Sequence, residues 1–352
     1  MSILTNVKSQ WEDMMTTIKS KIAGGVAAAI MAVTFAGGSA LAQQAPIVLK
    51  LAHGATTDQA IGKGMLKFAE LVAQKSGGKV KVETYLAGSL YSERTALEAM
   101  VNGSVDFAGA SNANWAAFTN ALLFMDLPYV FNDEASFRKA LDGKAGQAIA
   151  QRFEKAGFKL LMRLDNGGFR DIVNNRREVR VPADVKGLKF RTTASPVEIA
   201  MFRNWGGIAT AIDWAEVYNA LGSGVVDGEF VMSTWLSTAK HYEVLKYSTE
   251  NKAVIGIQTL AIRSERFDKL SPDVQKVILE AAKEAEVYAN KLDQEGVEAA
   301  RAHAKKLGVK SYQPTEAEMK IWRETGRQIW KQFEKNVDKE LLDLVLESQK
   351  TN

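Results

Sequence analysis

The longest unbroken helical stretch sets the scale of the fold. Ser271 is placed to cap a helix, and Pro272 occupies the first helical position, where its missing N–H is no loss. Apolar residues then recur at Val274, Val277, Ile278, Ala281, Ala285, Tyr288 and Ala289, and nothing breaks the period before Gly308. As one helix, 272–307 reaches about 54 Å at ~1.5 Å per residue. That exceeds the width of one small domain, so the helix is expected to run along two lobes. The length of 352 residues points the same way, because single cores stop growing near ~250–300 residues.

The rest of the chain supplies layers for such lobes. Residues 47–52 read as a buried strand. Ile61, Met65, Phe68, Ala69 and Val72 form a helical stripe that ends at Ser76-Gly77-Gly78. Residues 79–85 alternate as a half-buried strand, Ser92 caps a helix through Val101, and 105–110 form another strand. This β-α-β-α-β rhythm predicts a parallel or mixed sheet with helices on its faces. It resumes with strands at 158–163, 188–191 and 225–231, a helix carrying Glu216 to Leu221, and a long extended segment over 253–263. Thr315 and Glu318 form a capping box for a final helix through Trp322, Ile329, Trp330 and Phe333. Two α/β units of similar size joined by extended crossings make a two-lobed cleft protein.

The N-terminus predicts where the chain works. Lys19 and Lys21 precede an apolar run over 22–35, followed by Gly37, Ser39 and Ala40-Leu41-Ala42. A basic region, an apolar run and an A-x-A site define a secretory signal, so 1–42 is expected to be cleaved after Ala42. The chain has no cysteine, which removes disulfides, zinc–thiolate sites, cysteine nucleophiles and a lipoprotein anchor together. The mature protein is expected to be soluble in the periplasm.

Catalytic and cofactor patterns are scarce. No G-x-S-x-G elbow, P-loop or H-E-x-x-H occurs, and His53, His241 and His303 are scattered, so neither a cofactor nor a metal is expected. A net charge of +4 without basic clusters gives no sign of nucleic acid. The informative cluster is Gly187-Leu-Lys-Phe-Arg191. An arginine closing a short apolar strand pairs either with a neighbouring Asp or Glu, or with a ligand carboxylate at the strand's carboxyl end. Arg170, in Gly167-Gly-Phe-Arg170, follows another strand in the same way.

A set of motifs in order carries a resemblance: Gly88-Ser-Leu90, Leu97-Glu98, Gly103-Ser-Val-Asp-Phe107, Asp126-Leu-Pro-Tyr-Val-Phe131, Gly167-Gly-Phe-Arg170, Asp184-Val-Lys-Gly-Leu-Lys-Phe-Arg191, Glu216-Val-Tyr-Asn-Ala-Leu221, Gly224-Val-Val-Asp-Gly228 and Glu243-Val-Leu-Lys-Tyr247. With these, residues 46–340 resemble the solute-binding proteins of tripartite ATP-independent periplasmic (TRAP) transporters, of the DctP type. The resemblance implies a two-lobed α/β periplasmic-binding-protein fold with hinge strands and a long helix spanning both lobes. The expected division is 43–167 with 256–295 as lobe I, and 168–255 with 296–352 as lobe II. It also implies a non-enzymatic receptor that delivers a small organic acid to a small and a large membrane subunit, and a monomer is expected because cleft closure needs no partner chain.

The residues that the resemblance assigns to the ligand are Arg191, for its carboxylate, and Arg170, for a second contact. His53 ends the first strand where a ligand hydrogen bond is common, and Ser111 and Asn112 end the third. Trp214 falls where an aromatic ring covers the ligand, and Glu93 and Tyr91 are rim candidates. Val231 replaces the asparagine of many relatives. Phe230 and Trp235, with Trp115 and Phe169, make the pocket more aromatic, favouring a carboxylate with an apolar body. On the residues alone three rivals stay open: a binding protein for another importer or a sensor kinase, an extracytoplasmic lyase or hydrolase using His53 or His241, and a structural export protein.

Overall fold

The computed structural model describes residues 45–350, so the expected export signal and its cleavage point lie outside the described residues. In chain order the strands are β1 (Ile47–Ala52), β2 (Val80–Tyr85), β3 (Phe107–Ala108), β4 (Phe158–Phe169), β5 (Asp171–Asn174), β6 (Lys189–Thr192), β7 (Ile208–Ala211), β8 (Gly228–Val231), β9 (Tyr247–Thr249), β10 (Ile255–Arg263) and β11 (Lys310–Tyr312). They form two sheets, ordered β2-β1-β3-β10-β4 and β11-β9-β5-β8-β6-β7. β1 lies parallel to β2 and β3, and β10 runs antiparallel between β3 and β4. In the second sheet β6 lies parallel to β7 and β8, and β5 is antiparallel to β8 and β9. The inner strands are covered on both faces, which is why β8 and β10 are buried along nearly all their length.

Two neighbouring segments cross between the sheets. β4 passes through Arg170 directly into β5, and the chain returns from β9 through residues 250–254 into β10. The crossings are tied by the Arg170 N–H, which donates to the Val254 carbonyl at 3.0 Å. Gly167 and Gly168 lead into the first crossing with φ of +78° and +81°, a left-handed conformation that only glycine adopts without strain.

The predicted long helix is Pro272–Lys306, 35 residues, with Ser271 accepting from the Val274 N–H. It packs on the Ala60–Lys75 helix and β4, and further along on the Ser233–Thr238 helix that follows β8. It therefore touches elements of both lobes. Its buried face is largely alanine, and the partner helix meets it through glycine: a Cβ on Gly64 would lie 2.7 Å from the Ala289 Cβ.

The structure differs from the sequence expectation in three places. The strand expected over 105–110 is only Phe107–Ala108. The Asp106 carboxylate accepts the Lys50 N–H at 2.8 Å, replacing a ladder bond. The strand expected over 158–163 continues to Phe169. The C-terminal helix divides: Thr315 caps Glu316–Arg327, one short turn follows at Trp330–Phe333, and a further helix spans Lys339–Ser348. That last helix packs on the Glu134–Asp142 and Lys144–Lys155 helices, beside β4. Arg152 Nε meets Asp338 Oδ2 there at 3.0 Å. The chain end thus packs beside the first sheet.

Candidate functional site

A cleft of ≈ 760 Å³, counting its open mouth, lies between the sheets and takes residues from both. From the first side come Glu93, at the start of the Glu93–Val101 helix, with Ser111, Asn114 and Gln258 of β10. From the second come Arg191 of β6, Phe230 and Val231 of β8, and Trp214 and Trp235. Asn166 and Arg170 stand where the chain crosses.

Arg191 is 7% exposed. Its Nε donates to the Ile212 carbonyl at 3.0 Å, and its guanidinium lies 5.6 Å from the Trp214 ring centre. Among the described residues no carboxylate lies within ion-pair distance of it. Burial lowers its pKa, and the carboxylates of Glu198 and Glu229 oppose that shift. The guanidinium stays protonated. A buried cation lacking a counter-ion is costly, and its free N–H groups open into the cleft wall suit a planar anion.

Arg170 has a different environment. At 3% exposure, its Nη1 bonds Glu198 Oε2 at 2.8 Å. Glu198 also accepts from the Thr193 N–H at 3.2 Å and the Thr193 hydroxyl at 2.5 Å. Asp126 lies near Arg170 as well. Burial pushes its carboxyl up to about 6, and Arg170 opposes the shift. The salt-bridge alternative raised for both arginines is thus realised at Arg170 and not at Arg191.

Seven of the expected site residues meet in the cleft lining: Arg191, Arg170, Trp214, Ser111, Phe230, Glu93 and Trp235. Trp214 and Trp235 stack edge to face, with centres 4.9 Å apart. Three do not reach the lining. His53 is fully buried, its Nδ1 accepts the Ala55 N–H at 2.9 Å, and its ring lies against Gly109. Burial pulls its pKa down to about 4, so the ring is neutral. Asn112 donates to Asp126 Oδ1 at 2.6 Å and lies over Gly256. Tyr91 packs half-buried on apolar core. Of the additional aromatics, Trp115 is core, its Nε1 bonded to Thr259 Oγ1 at 2.7 Å, and Phe169 is buried at the end of β4.

Sequence reasoning missed Gln258, Asn166 and Asn114 in the lining, and Glu198 behind it. For Gln258 a signal existed: it is a lone amide within the apolar run Ile255-Gly-Ile-Gln-Thr-Leu-Ala-Ile, and a buried polar side chain needs a partner. Among the described residues no helix is long and apolar enough to cross a membrane.

With this geometry in hand, the likeness to known proteins is informative. A model of the family described as bacterial extracellular solute-binding protein, family 7 (DctP) matches residues 51–336. The chain is 32% identical over 282 residues to the C4-dicarboxylate-binding periplasmic protein DctP of Rhodobacter capsulatus, covering 79% of this chain and 84% of the relative. It is 30% identical over 272 residues to the 2,3-diketo-L-gulonate-binding periplasmic protein YiaO of Escherichia coli K12, covering 77% and 82%. A TRAP periplasmic solute-binding protein from Shewanella oneidensis with bound succinate superimposes with a TM-score of 0.83 at 28% identity, over 87% of this chain and 100% of the other. The sugar acid binding protein DctPAm of Advenella mimigardefordensis in complex with galactonate gives 0.82 at 29% identity, over 86% and 97%. The match along 51–336, the two sheets and the cleft between them agree, and the chain belongs to family 7 of the bacterial extracellular solute-binding proteins, the DctP-type receptors of TRAP transporters.

Proposed function

We propose that this receptor captures a small organic acid by pairing its carboxylate with Arg191, and hands it unchanged to the small and large membrane subunits of a TRAP transporter. The observation that carries the reading is the buried Arg191 guanidinium, which has no carboxylate within ion-pair distance among the described residues and lines the cleft. Succinate and galactonate, bound in two structural relatives, both offer a carboxylate. Trp214, Phe230 and Val231 favour an apolar body behind that group. Contacts from both sides stabilise the closed cleft, and closure strips water from the ion pair and strengthens it. The ligand shifts the open–closed balance only by its differential affinity for the two forms.

We take 43–167 with 256–295 and the C-terminal helix as one lobe, and 168–255 with most of 296–327 as the other, hinged at the paired crossings. The protein acts as a soluble monomer in the periplasm after cleavage at Ala42. Turnover by histidine has little support, because neither His53 nor His241 lines the cleft. His241 Nδ1 is committed to Glu229 Oε1 at 2.7 Å.

A thermal-shift screen of carboxylic acids, followed by calorimetry on the wild type and Arg191→Ala, tests the reading. A ligand at 100 times its dissociation constant adds about 2.7 kcal/mol of stability. Loss of the arginine should weaken binding by on the order of 30-fold or more, as expected when one partner of a desolvated ion pair is removed. Equal affinity in the two proteins rejects the assignment.

A further inference from the structure

The first-sheet side of the cleft presents the Glu93 carboxylate, with Arg94 beside it turned to Glu98 Oε1 at 3.3 Å, and this bears on the far end of the ligand. Glu93 Oε2 accepts the Ser111 N–H at 3.2 Å, the Ser111 hydroxyl at 3.1 Å and the Asn114 amide at 2.7 Å. Its Oε1 accepts the Gln258 amide at 2.9 Å. Every one of these donors is neutral, and among the described residues no cation lies within ion-pair distance of Glu93. The carboxylate is thus fixed in place with its negative charge uncancelled. Its Oε1, with one donor, has room for another.

Gln258 extends the pattern. Its NH₂ faces Glu93, an orientation that the chemistry dictates, because the flipped amide would set oxygen against carboxylate oxygen. Its Oε1 therefore points elsewhere, buried and with no donor. Asn166 Oδ1, at the crossing, is likewise buried without a donor. Both side chains line the cleft, at 2% and 3% exposure. A buried acceptor left unsatisfied is costly, and an O–H or N–H brought by the ligand recovers that cost. A second carboxylate brings only acceptors and a charge of the same sign as Glu93, and that juxtaposition in a desolvated cleft is a device for rejection.

We infer that the cleft selects a monocarboxylate carrying a hydroxyl or ammonium group at its other end, received by Glu93 Oε1 and Gln258 Oε1, and discriminates against dicarboxylates of matching length. The inference rests on the Arg191 reading and adds the chemistry of the opposite wall. It separates this receptor from relatives that hold succinate.

Calorimetry with two matched series tests it. One is butanoate, 4-hydroxybutanoate, 4-aminobutanoate and succinate. The other is 3-phenylpropanoate with hydrogen, hydroxyl or carboxylate at the para position. The hydroxy or amino member should bind at least about tenfold more tightly than its unsubstituted partner, the worth of one well-placed hydrogen bond, and the dicarboxylate should bind worst. Glu93→Gln, which keeps shape and removes charge, should raise the affinity for the dicarboxylate relative to the hydroxy acid by about tenfold or more. A dicarboxylate that matches or beats the hydroxy and amino acids in the wild type overturns the inference without any variant, and so does a ratio unmoved in folded Glu93→Gln. Arg191→Ala, run in parallel, separates the two ideas. A dicarboxylate preference that disappears with Arg191 overturns only the selectivity. Binding indifferent to Arg191, or no binding by any member of either series, overturns the carboxylate reading as well.

Discussion

Arg170 joins β4 to β5 and Arg191 is the penultimate residue of β6; both lie under 8% exposed, and both line one cleft. Yet Arg170 is held by Glu198 at the crossing between the sheets, whereas Arg191 on the second wall has a backbone carbonyl and a tryptophan face for company. The difference divides the site by task. Charges at the crossing are neutralised internally and hold the lobes' connection in shape. Under the proposed function, the charge on the wall is the one left for a ligand to neutralise. A strand-end arginine in a cleft is therefore no evidence of a ligand contact until its carboxylate partners have been sought.

Stability measurements break or sharpen this contrast most directly. Arg170→Ala leaves the Glu198 carboxylate buried with Asp126 nearby and no cation within ion-pair distance, and should cost about 3–5 kcal/mol in denaturant unfolding. Arg191→Ala should lower stability by no more than about 1 kcal/mol, since it removes a costly buried cation that has no carboxylate within ion-pair distance. Equal losses in the two variants end the distinction.

The crossing also holds a carboxyl whose titration can be followed. Asp293 of the long helix accepts the Gly167 N–H at 2.9 Å. Burial pushes its pKa up to about 7, with the Gly167 bond opposing. The folded protein therefore keeps a proton that the unfolded chain releases from about pH 4 upward, so this group's contribution to stability is present at acid pH and lost as pH rises through about 7. Asp293→Asn should flatten that decline by roughly one proton and raise stability above pH 7 by on the order of 1–4 kcal/mol. Asp171, also raised to about 7 by burial, maintains a residual slope. Melting curves from pH 4 to 8 that superimpose for variant and wild type would contradict the expectation. The smallest effect belongs to the wall. Trp214→Leu removes the ring beneath Arg191 and should weaken acid binding by about 0.5–2 kcal/mol, with little change in folding. An unaltered dissociation constant would show that the ring contributes nothing to holding the charge.

The elements most legible in the sequence were those with local signals. Ser271 and Pro272 marked the long helix, and Ser92 and Thr315 marked two others, because caps act within one turn. β5 escaped, since four buried residues between polar ones have no period to detect. Within the site, Arg191 could be singled out as an unusual residue for a short strand. That Arg170 had a partner could not be foreseen, because Glu198 is 28 positions away on another element. His53 and Asn112 were expected in the lining because they follow strands, but His53 Nδ1 turns to the Ala55 backbone and Asn112 Nδ2 to Asp126 instead.

Gly167 and Gly168 bear on how such a receptor can change over generations. A Cβ on the first would fall 2.0 Å from Thr234 Oγ1, and one on the second 2.8 Å from Glu134 Oε1, with both backbones in the left-handed region. Almost any substitution there disturbs the path between lobes, whereas position 214, half-exposed on the cleft wall, can change with little cost to the core. Motion is written in backbone and cargo in side chains, so a descendant of this protein can acquire a taste for a new acid while inheriting the same way of closing on it.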